Sequence, residues 1–307
     1  MDRWTWISHS ILLRETFFEG FIVNVEPLRV GLGEELRPGA PLNLALLRIN
    51  YNGISVPYIP GSSLKGVFRS YATSLAKRSG LDVCNGLSKE ACGEIKFVNG
   101  KRLDDYVDEL MRKGESENAV KAFHENACLI CKIFGSTRYM SNASFSDAYP
   151  IDEGGNVINV KTNVRVGIAI NRRTGSVLRR GRYGVEFIEA GARFRFNIRC
   201  RNLPNYAIGL LSLILKRMNE GLVKIGGFKS RGFGAVKIES LRFRSRDFVK
   251  ESSLVMASLE PEGDVEVSLA GVAELKDGWL TSEGEKAWKT LAELIEVWKI
   301  CQERLKS

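Results

Sequence analysis

The sequence predicts an α+β fold built on a mainly antiparallel sheet. β-favouring runs recur along most of the chain, few stretches carry a helical period, and glycine-containing turn signals join strand to strand. With 307 residues and 44% hydrophobic content, the chain can bury a sizeable core as one large domain or a domain with an appendage.

The elements follow in order. Glu15 to Val30 reads as a strand, because Phe17, Phe18, Phe21, Ile22, Val23 and Val25 favour the β-region. Gly31 to Pro41 carries three glycines and two prolines and reads as a loop. Ser62 to Lys77 reads as a helix capped by Ser62 or Ser63, with Leu64, Val67, Phe68, Tyr71 and Leu75 on one face. Residues 81–140 form a mixed, cysteine-containing insertion with a helix near 103–113. Ala143 to Arg201 is β-rich, with hairpin signals at Gly154-Gly155 and Arg173-Thr174-Gly175. A second helix spans Tyr206 to Glu220 and stops at Gly221. Gly226 to Ile238 is a glycine loop entering a strand. Glu283 to Lys306 is an amphipathic helix whose Trp288, Leu291, Ile295, Trp298, Cys301 and Leu305 share a face. That face is expected to pack on its own domain; the other reading is a docking helix for a neighbouring subunit. The expected partition is therefore 1–245 as core and 246–307 as an extension.

Charge points to a ligand class. Residues 161–201 hold 11 Lys and Arg against Glu186 and Glu189 only, a net +9 that equals the formal charge of the chain. A concentrated positive patch faces phosphates. Residues 251–307 carry 12 acids and six bases. No secretory signal opens the sequence and no apolar run reaches bilayer length, so a cytoplasmic protein with no membrane partner is expected.

Three motifs carry chemistry. Tyr58-Ile59-Pro60-Gly61-Ser62-Ser63-Leu64-Lys65-Gly66-Val67-Phe68-Arg69 starts a helix with free N–H groups, with Lys65 and Arg69 on adjacent turns. Gly226-Gly227-Phe228-Lys229-Ser230-Arg231-Gly232-Phe233-Gly234 allows close backbone approach to a ligand, but lacks the spacing of a Walker A loop. The third is Cys128-Leu129-Ile130-Cys131-Lys132-Ile133-Phe134-Gly135-Ser136, followed by Phe145-Ser146-Asp147-Ala148.

In this order, across about 15–245, these motifs resemble the RAMP superfamily of CRISPR proteins, and most nearly the backbone subunits of type III effector complexes. The resemblance implies a ferredoxin-like, RNA-recognition-type βαββαβ core broken by insertions. It implies guide RNA, target RNA and other RAMP subunits as partners. The guide-contacting positions would be Ser62, Ser63, Lys65 and Arg69, with Gly227, Lys229, Ser230, Arg231 and Gly232 in the glycine loop. A thumb-like hairpin that kinks the guide–target duplex would fall at 161–193, with Arg165, Asn171, Arg172, Arg173, Arg179, Arg180 and Arg182. Guide would be held through phosphates, leaving sequence to base pairing.

Cys84, Cys92, Cys128 and Cys131, with His124 as an alternative ligand, offer the thiolate and imidazole donors that a structural zinc ion prefers, although Cys84-x₇-Cys92 is an unusual spacing. Cys200 and Cys301 read as core, and His9 as incidental. Some relatives cut target RNA with an Asp and a divalent metal. No Asp occurs between Arg3 and Leu81, which leaves Glu34 and Glu35 as the only acids in that loop. A non-catalytic, RNA-binding scaffold is the expected role. Target cleavage through Glu34 and Glu35, or a guide-processing endoribonuclease, are the alternatives.

Overall fold

The computed structural model describes residues 2–31, 44–86 and 89–306, with backbone alone for 178–182. β1 is Arg14–Asn24, followed by the small hairpin β2 (Arg48–Tyr51) and β3 (Ile54–Pro57), then helix α1 (Gly61–Arg78). The insertion holds α2 (Cys92–Ile95), the short β4 (Phe97–Val98) and β5 (Lys101–Arg102), α3 (Leu103–Arg112), α4 (Ser116–Asn126) and α5 (Leu129–Phe134). The chain then runs β6 (Ala143–Phe145), β7 (Tyr149–Pro150), the long hairpin β8 (Thr162–Ile170) and β9 (Val177–Ile188), β10 (Arg193–Arg201), α6 (Asn205–Asn219) and β11 (Val236–Asp247). Beyond lie β12 (Val255–Met256), β13 (Val267–Ser268), β14 (Glu274–Lys276), β15 (Trp279–Glu283) and α7 (Glu285–Cys301).

The main sheet has the order β14-β15-β11-β1-β10-β6, with β7 also on β10, and its neighbours pair antiparallel. Taking β6, β10 and β11 as the second, third and fourth core strands, the central order is 4-1-3-2, with α1 and α6 as the connecting helices. That is the ferredoxin-like βαββαβ arrangement, mixed α and β with an antiparallel sheet.

β1 lies at the centre because its side chains serve two faces. Thr16, Phe18 and Ile22 are buried on the helix side, while Phe17, Glu19 and Phe21 are half-buried on the other. β10 repeats the period with Phe194, Phe196, Ile198 and Cys200 inside. α1 turns Leu64, Phe68, Ala72 and Ala76 inward. On the open face the arginines lie over aromatic rings. Arg193 sits 4.5 Å from the Phe21 centroid, and Arg244 5.2 Å from Phe17 and 5.4 Å from Trp279.

β1 ends at Asn24, six residues before the expected end at Val30. Pro27 has no N–H to give a ladder, and the chain leaves the sheet there to pair Leu28 with Ile188 instead. α7 runs 285–301 rather than 283–306. Its buried residues Leu291, Leu294, Trp298 and Cys301 pack on α6, so this face is already covered by its own domain. Cys200 and Cys301 are buried as expected.

A buried polar network ties the segment after β11 to the core. The buried guanidinium of Arg14 pairs with Asp247 and donates to the Ala257 carbonyl at 2.7 Å. Asp264 accepts the N–H groups of Asn205 (3.0 Å) and Tyr206 (3.2 Å), which caps α6 from outside the helix. Glu260 accepts the Tyr206 hydroxyl at 2.5 Å and faces His124 Nε2 at 3.3 Å. Burial lowers the His124 pKa despite the Glu260 bond, and pushes Asp264 up to about 6. The two act oppositely on acidification. A histidine with a lowered folded pKa loses stability as pH falls through its unfolded value of about 6.5, because the unfolded chain binds the proton more tightly. The raised carboxyl gains stability over a lower window. Comparison with His124→Gln cancels the Asp264 contribution. The stability advantage of the parent over this variant is expected to shrink between about pH 7.5 and 5.5, read from urea unfolding at each pH. A constant advantage would show that His124 does not titrate as a buried neutral imidazole.

Candidate nucleic-acid interface and metal centre

The Phe-Ser-Asp segment and the Cys-x-x-Cys block, both far from α1 in sequence, converge on its first turns. Ile59 and Ala148 exchange backbone hydrogen bonds at 3.0 and 2.8 Å, which lays the Phe-Ser-Asp segment against the helix start. A Cβ on Gly61 would lie 2.1 Å from the Phe145 carbonyl oxygen, so only glycine admits this approach. The expected serine cap is not formed. Pro60 occupies the N-cap position, and Asp147 Oδ1 accepts the Gly61 N–H at 2.8 Å. A carboxylate from the loop between β6 and β7 therefore already takes the first N–H of the helix, leaving Ser62 exposed, Ser63 half-buried and Lys65 half-buried beside it. Burial, then the charge of Arg69, lowers the Lys65 pKa. Asp147→Ala is expected to destabilise the fold by about 1 kcal/mol, measured by urea denaturation. An unchanged midpoint would show that water replaces the cap without cost.

The β8–β9 hairpin projects from the sheet with Arg165, Arg172 and Arg173 exposed. Its turn is closed by Asn171, whose side chain accepts the Arg173 N–H at 2.9 Å and whose carbonyl accepts that of Gly175 at 2.8 Å. Of its two acids, Glu186 is spent at the base, accepting from Arg48 at 2.7 Å and from the Leu46 N–H at 3.0 Å. Glu189 accepts from Asn163 at 3.3 Å. The cations toward the tip therefore have no acid beside them among the described residues.

The glycine loop is locked to this hairpin by alternating arginines and rings. Arg165 lies 5.5 Å from the Phe187 centroid and 4.8 Å from Phe233. Phe233 meets Phe228 at 5.8 Å, and Arg231 lies 5.3 Å from Phe228 while donating to the Tyr183 hydroxyl at 3.0 Å. Lys229, Ser230 and Arg231 form one exposed helical turn between two left-handed residues, Phe228 (φ 58°) and Gly232 (φ 75°). A phenylalanine there costs strain of order 1 kcal/mol, and such strain clusters at binding loops. The glycines divide by role. Gly226 and Gly234 are required by the protein's own backbone, since a Cβ would meet the Arg29 and Ile225 carbonyl oxygens at 2.1 and 2.2 Å, whereas Gly232 faces open space.

The basic excess is not one patch. Arg193, Arg195, Arg199 and Arg201 belong to β10, where Arg199 pairs with Glu15, Arg193 with Glu239, and Arg201 donates to the His9 and Ile11 carbonyls. Among the described residues, the hairpin tip is left without a paired acid, and in β10 Arg201 has carbonyl partners only. Sequence reasoning also missed Arg29. It is 92% buried, its Nε and Nη2 have no partner among the described residues, and it sits 5.7 Å from the Phe228 centroid beneath the glycine loop. Without the fold, nothing separates it from any other arginine near a strand end.

In the insertion, the Sγ atoms of Cys84, Cys92, Cys128 and Cys131 all lie within 4.8 Å of one another. Cys128 is the N-cap of α5 and Cys131 lies one turn on, so their sulfurs share a face. Cys84 follows α1, and Cys92 opens α2. The Cys131 sulfur is 3.3 Å from that of Cys84, and the Cys128 N–H donates to Cys92 Sγ at 3.3 Å. Hydrogen bonding from Cys131 pulls the Cys128 thiol down to about 7. The four cysteines form a group that could hold a metal ion. His124 is excluded, because its Nε2 is turned to Glu260. Arg69 is drawn here too, donating to the Gly135 carbonyl at 3.0 Å and to Cys131 Sγ at 3.4 Å. It therefore lies against the cysteines and not on a free face beside Lys65.

The sequence model of the RAMP superfamily matches residues 22–237, more than two thirds of the chain. This protein belongs to the RAMP superfamily. No curated protein matches it. RAMP proteins are CRISPR-associated, bind RNA and act in multi-subunit complexes. In this RAMP protein, no helix among the described residues is long and apolar enough to cross a membrane. Glu34 and Glu35 lie outside the described residues, as do the side chains of Arg179, Arg180 and Arg182.

Proposed function

We propose that this RAMP protein is a guide-RNA-binding backbone subunit of a type III CRISPR effector complex, working in the cytoplasm, and that its β8–β9 hairpin is the thumb that kinks the guide–target duplex. One observation carries the reading: a hairpin with exposed arginines, and no acid beside those toward its tip among the described residues, is fastened by aromatic rings to a strained basic loop. Arginine suits phosphate because its planar fork meets two oxygens, and a ring beneath it holds the fork in place. Lys229, Ser230, Arg231 and Gly232 with Arg165, Asn171, Arg172 and Arg173 line this path, and Ser62, Ser63 and Lys65 form a second contact at α1. Gly227 gives the loop its approach to the buried guanidinium of Arg29.

The four cysteines would hold a structural zinc ion. The donors are all sulfur, they close a four-ligand set that leaves no position for water, and Arg69 offsets part of the thiolate charge. Such an ion would fix α5 and α2 against the end of α1.

Neither histidine supports the processing-nuclease reading. His124 is buried against Glu260, and His9 is bonded to the Met140 carbonyl at 3.2 Å. The decisive experiment is purification from a host carrying the cognate CRISPR repeats, with sequencing of the RNA retained. Short RNAs with a repeat-derived 5′ tag and a spacer are expected. Random cellular RNA, or none at low salt, would sink the guide-scaffold reading.

A further inference from the structure

Two cavities adjoin on the α1 side of the molecule, away from the hairpin residues. One, of about 470 Å³, is lined by Ser62, Lys65, Arg199 and Arg201. The other, of about 570 Å³, lies between the N-terminal segment and helices α3 and α4 and is lined by Trp4, Val107, Val120 and Tyr139. His9 and Met140 line both and form the wall between them.

The chambers differ in chemistry. In the first, Arg201 donates only to backbone carbonyls, and no carboxylate pairs with Lys65 or Arg201 among the described residues. Two cations without counter-charge beside a hydroxyl call for an anion. Asp147 already caps the helix, so the side chains hold this charge and not the helix end. The second chamber is apolar and aromatic. Its Tyr139 is held rigid, stacked on Phe123 at 3.9 Å and donating to the Ile7 carbonyl at 2.9 Å. Burial lowers the His9 pKa, so the dividing imidazole is neutral near pH 7, and its Nδ1 has no partner among the described residues. Met140 beside it is 64% exposed, a flexible thioether that can yield to a flat ring.

We propose that the paired cavities form a nucleotide site, which takes one unpaired residue of bound RNA with its phosphate between Lys65 and Arg201 and its base in the chamber of Trp4, His9 and Met140. An anion joined to a flat apolar ring is what a cationic chamber opening onto an aromatic one accommodates. A fatty or peptidic occupant would leave the cations unmatched. The inference rests on the RNA-binding reading above and adds a base-holding site at a distance from the hairpin.

The test uses the full chain and two single-stranded probes: a short oligoadenylate, and the same backbone with abasic residues. Stacking of one base contributes enough that the parent is expected to prefer the base-bearing probe about tenfold or more. Ser116→Trp, on the rim of the apolar chamber, is expected to cut that preference to about threefold or less, while its affinity for the abasic probe stays at the parent's level. That second affinity certifies the fold. An equal preference in parent and variant overturns the nucleotide site and leaves the RNA-binding reading standing. Failure of the parent to bind either probe sinks both. If Ser116→Trp does not fold, photo-crosslinking of 4-thiouridine RNA to the unaltered protein decides. Crosslinks at Trp4, His9 or Met140 support the site, and crosslinks confined to the hairpin and glycine loop overturn it.

Discussion

Cys131→Ser is expected to abolish zinc binding and to unfold the 81–140 insertion. As neutral thiols the gathered sulfurs are held by packing and weak hydrogen bonds alone. Four thiols within 4.8 Å repel as they ionise, and only a cation turns that into attraction. Apparent binding free energies for structural zinc are about 10–16 kcal/mol in small peptides. The whole stability of a typical domain is about 5–15 kcal/mol. Loss of even half the first figure exceeds any single core truncation in this chain. The purified protein is expected to carry one zinc ion per chain by elemental analysis. A strong chelator should lower its melting temperature by far more than the few degrees expected of a surface change. His124→Gln should keep the metal, because that ring faces Glu260. A metal-free protein whose melting is indifferent to chelator would reduce the cluster to packed thiols.

Replacing Arg165 and Arg231 together by alanine is expected to weaken RNA binding at least about 100-fold at low salt, at about 1.5–3 kcal/mol for each charge-assisted contact. Both guanidiniums are exposed, so stability should change little. Phosphate contacts leave a second signature. Each one lost removes about 0.7 from the slope of log affinity against log salt, so the double variant should shift that slope by about 1.4. Fluorescence anisotropy at several salt concentrations reads both quantities. An affinity loss with an unchanged slope would mean that the arginines shape the loop through their rings and do not touch phosphate.

The antiparallel α+β class and both core helices were legible because their signals are local. Period two in β1 and β10 and the apolar faces of α1 and α6 lie within single segments. The cysteine set was legible from ligand chemistry, but His124 was not separable from it, since its partner Glu260 is 136 residues away. The same limit hid the cap on α1. Serine at a helix start is the local expectation, yet Asp147 arrives from a loop 86 residues on and takes the N–H first. Arg69 illustrates the reverse error, where helical spacing puts it one turn from Lys65 but the insertion's loop draws it inward. The even spread of positive charge through 161–201 was a property of sequence distance. The fold sorts it into a sheet strand, where Arg193 and Arg199 pair with acids, and a hairpin whose tip has none beside it among the described residues.

Gly209 carries a consequence for relatives of this chain. A Cβ there would lie 2.0 Å from the Leu294 carbonyl oxygen, so α6 and α7 touch backbone to backbone. α6 is in consequence apolar on nearly every side, one flank against the sheet and the other beneath α7. The family match stops at residue 237, but the cooperative unit runs on to Cys301. A RAMP chain lacking such a closing helix would have to repaint the outer flank of its second core helix with polar residues to stay in solution. The composition of that one helix therefore reports, in any member of the family, whether a further layer lies on top of it.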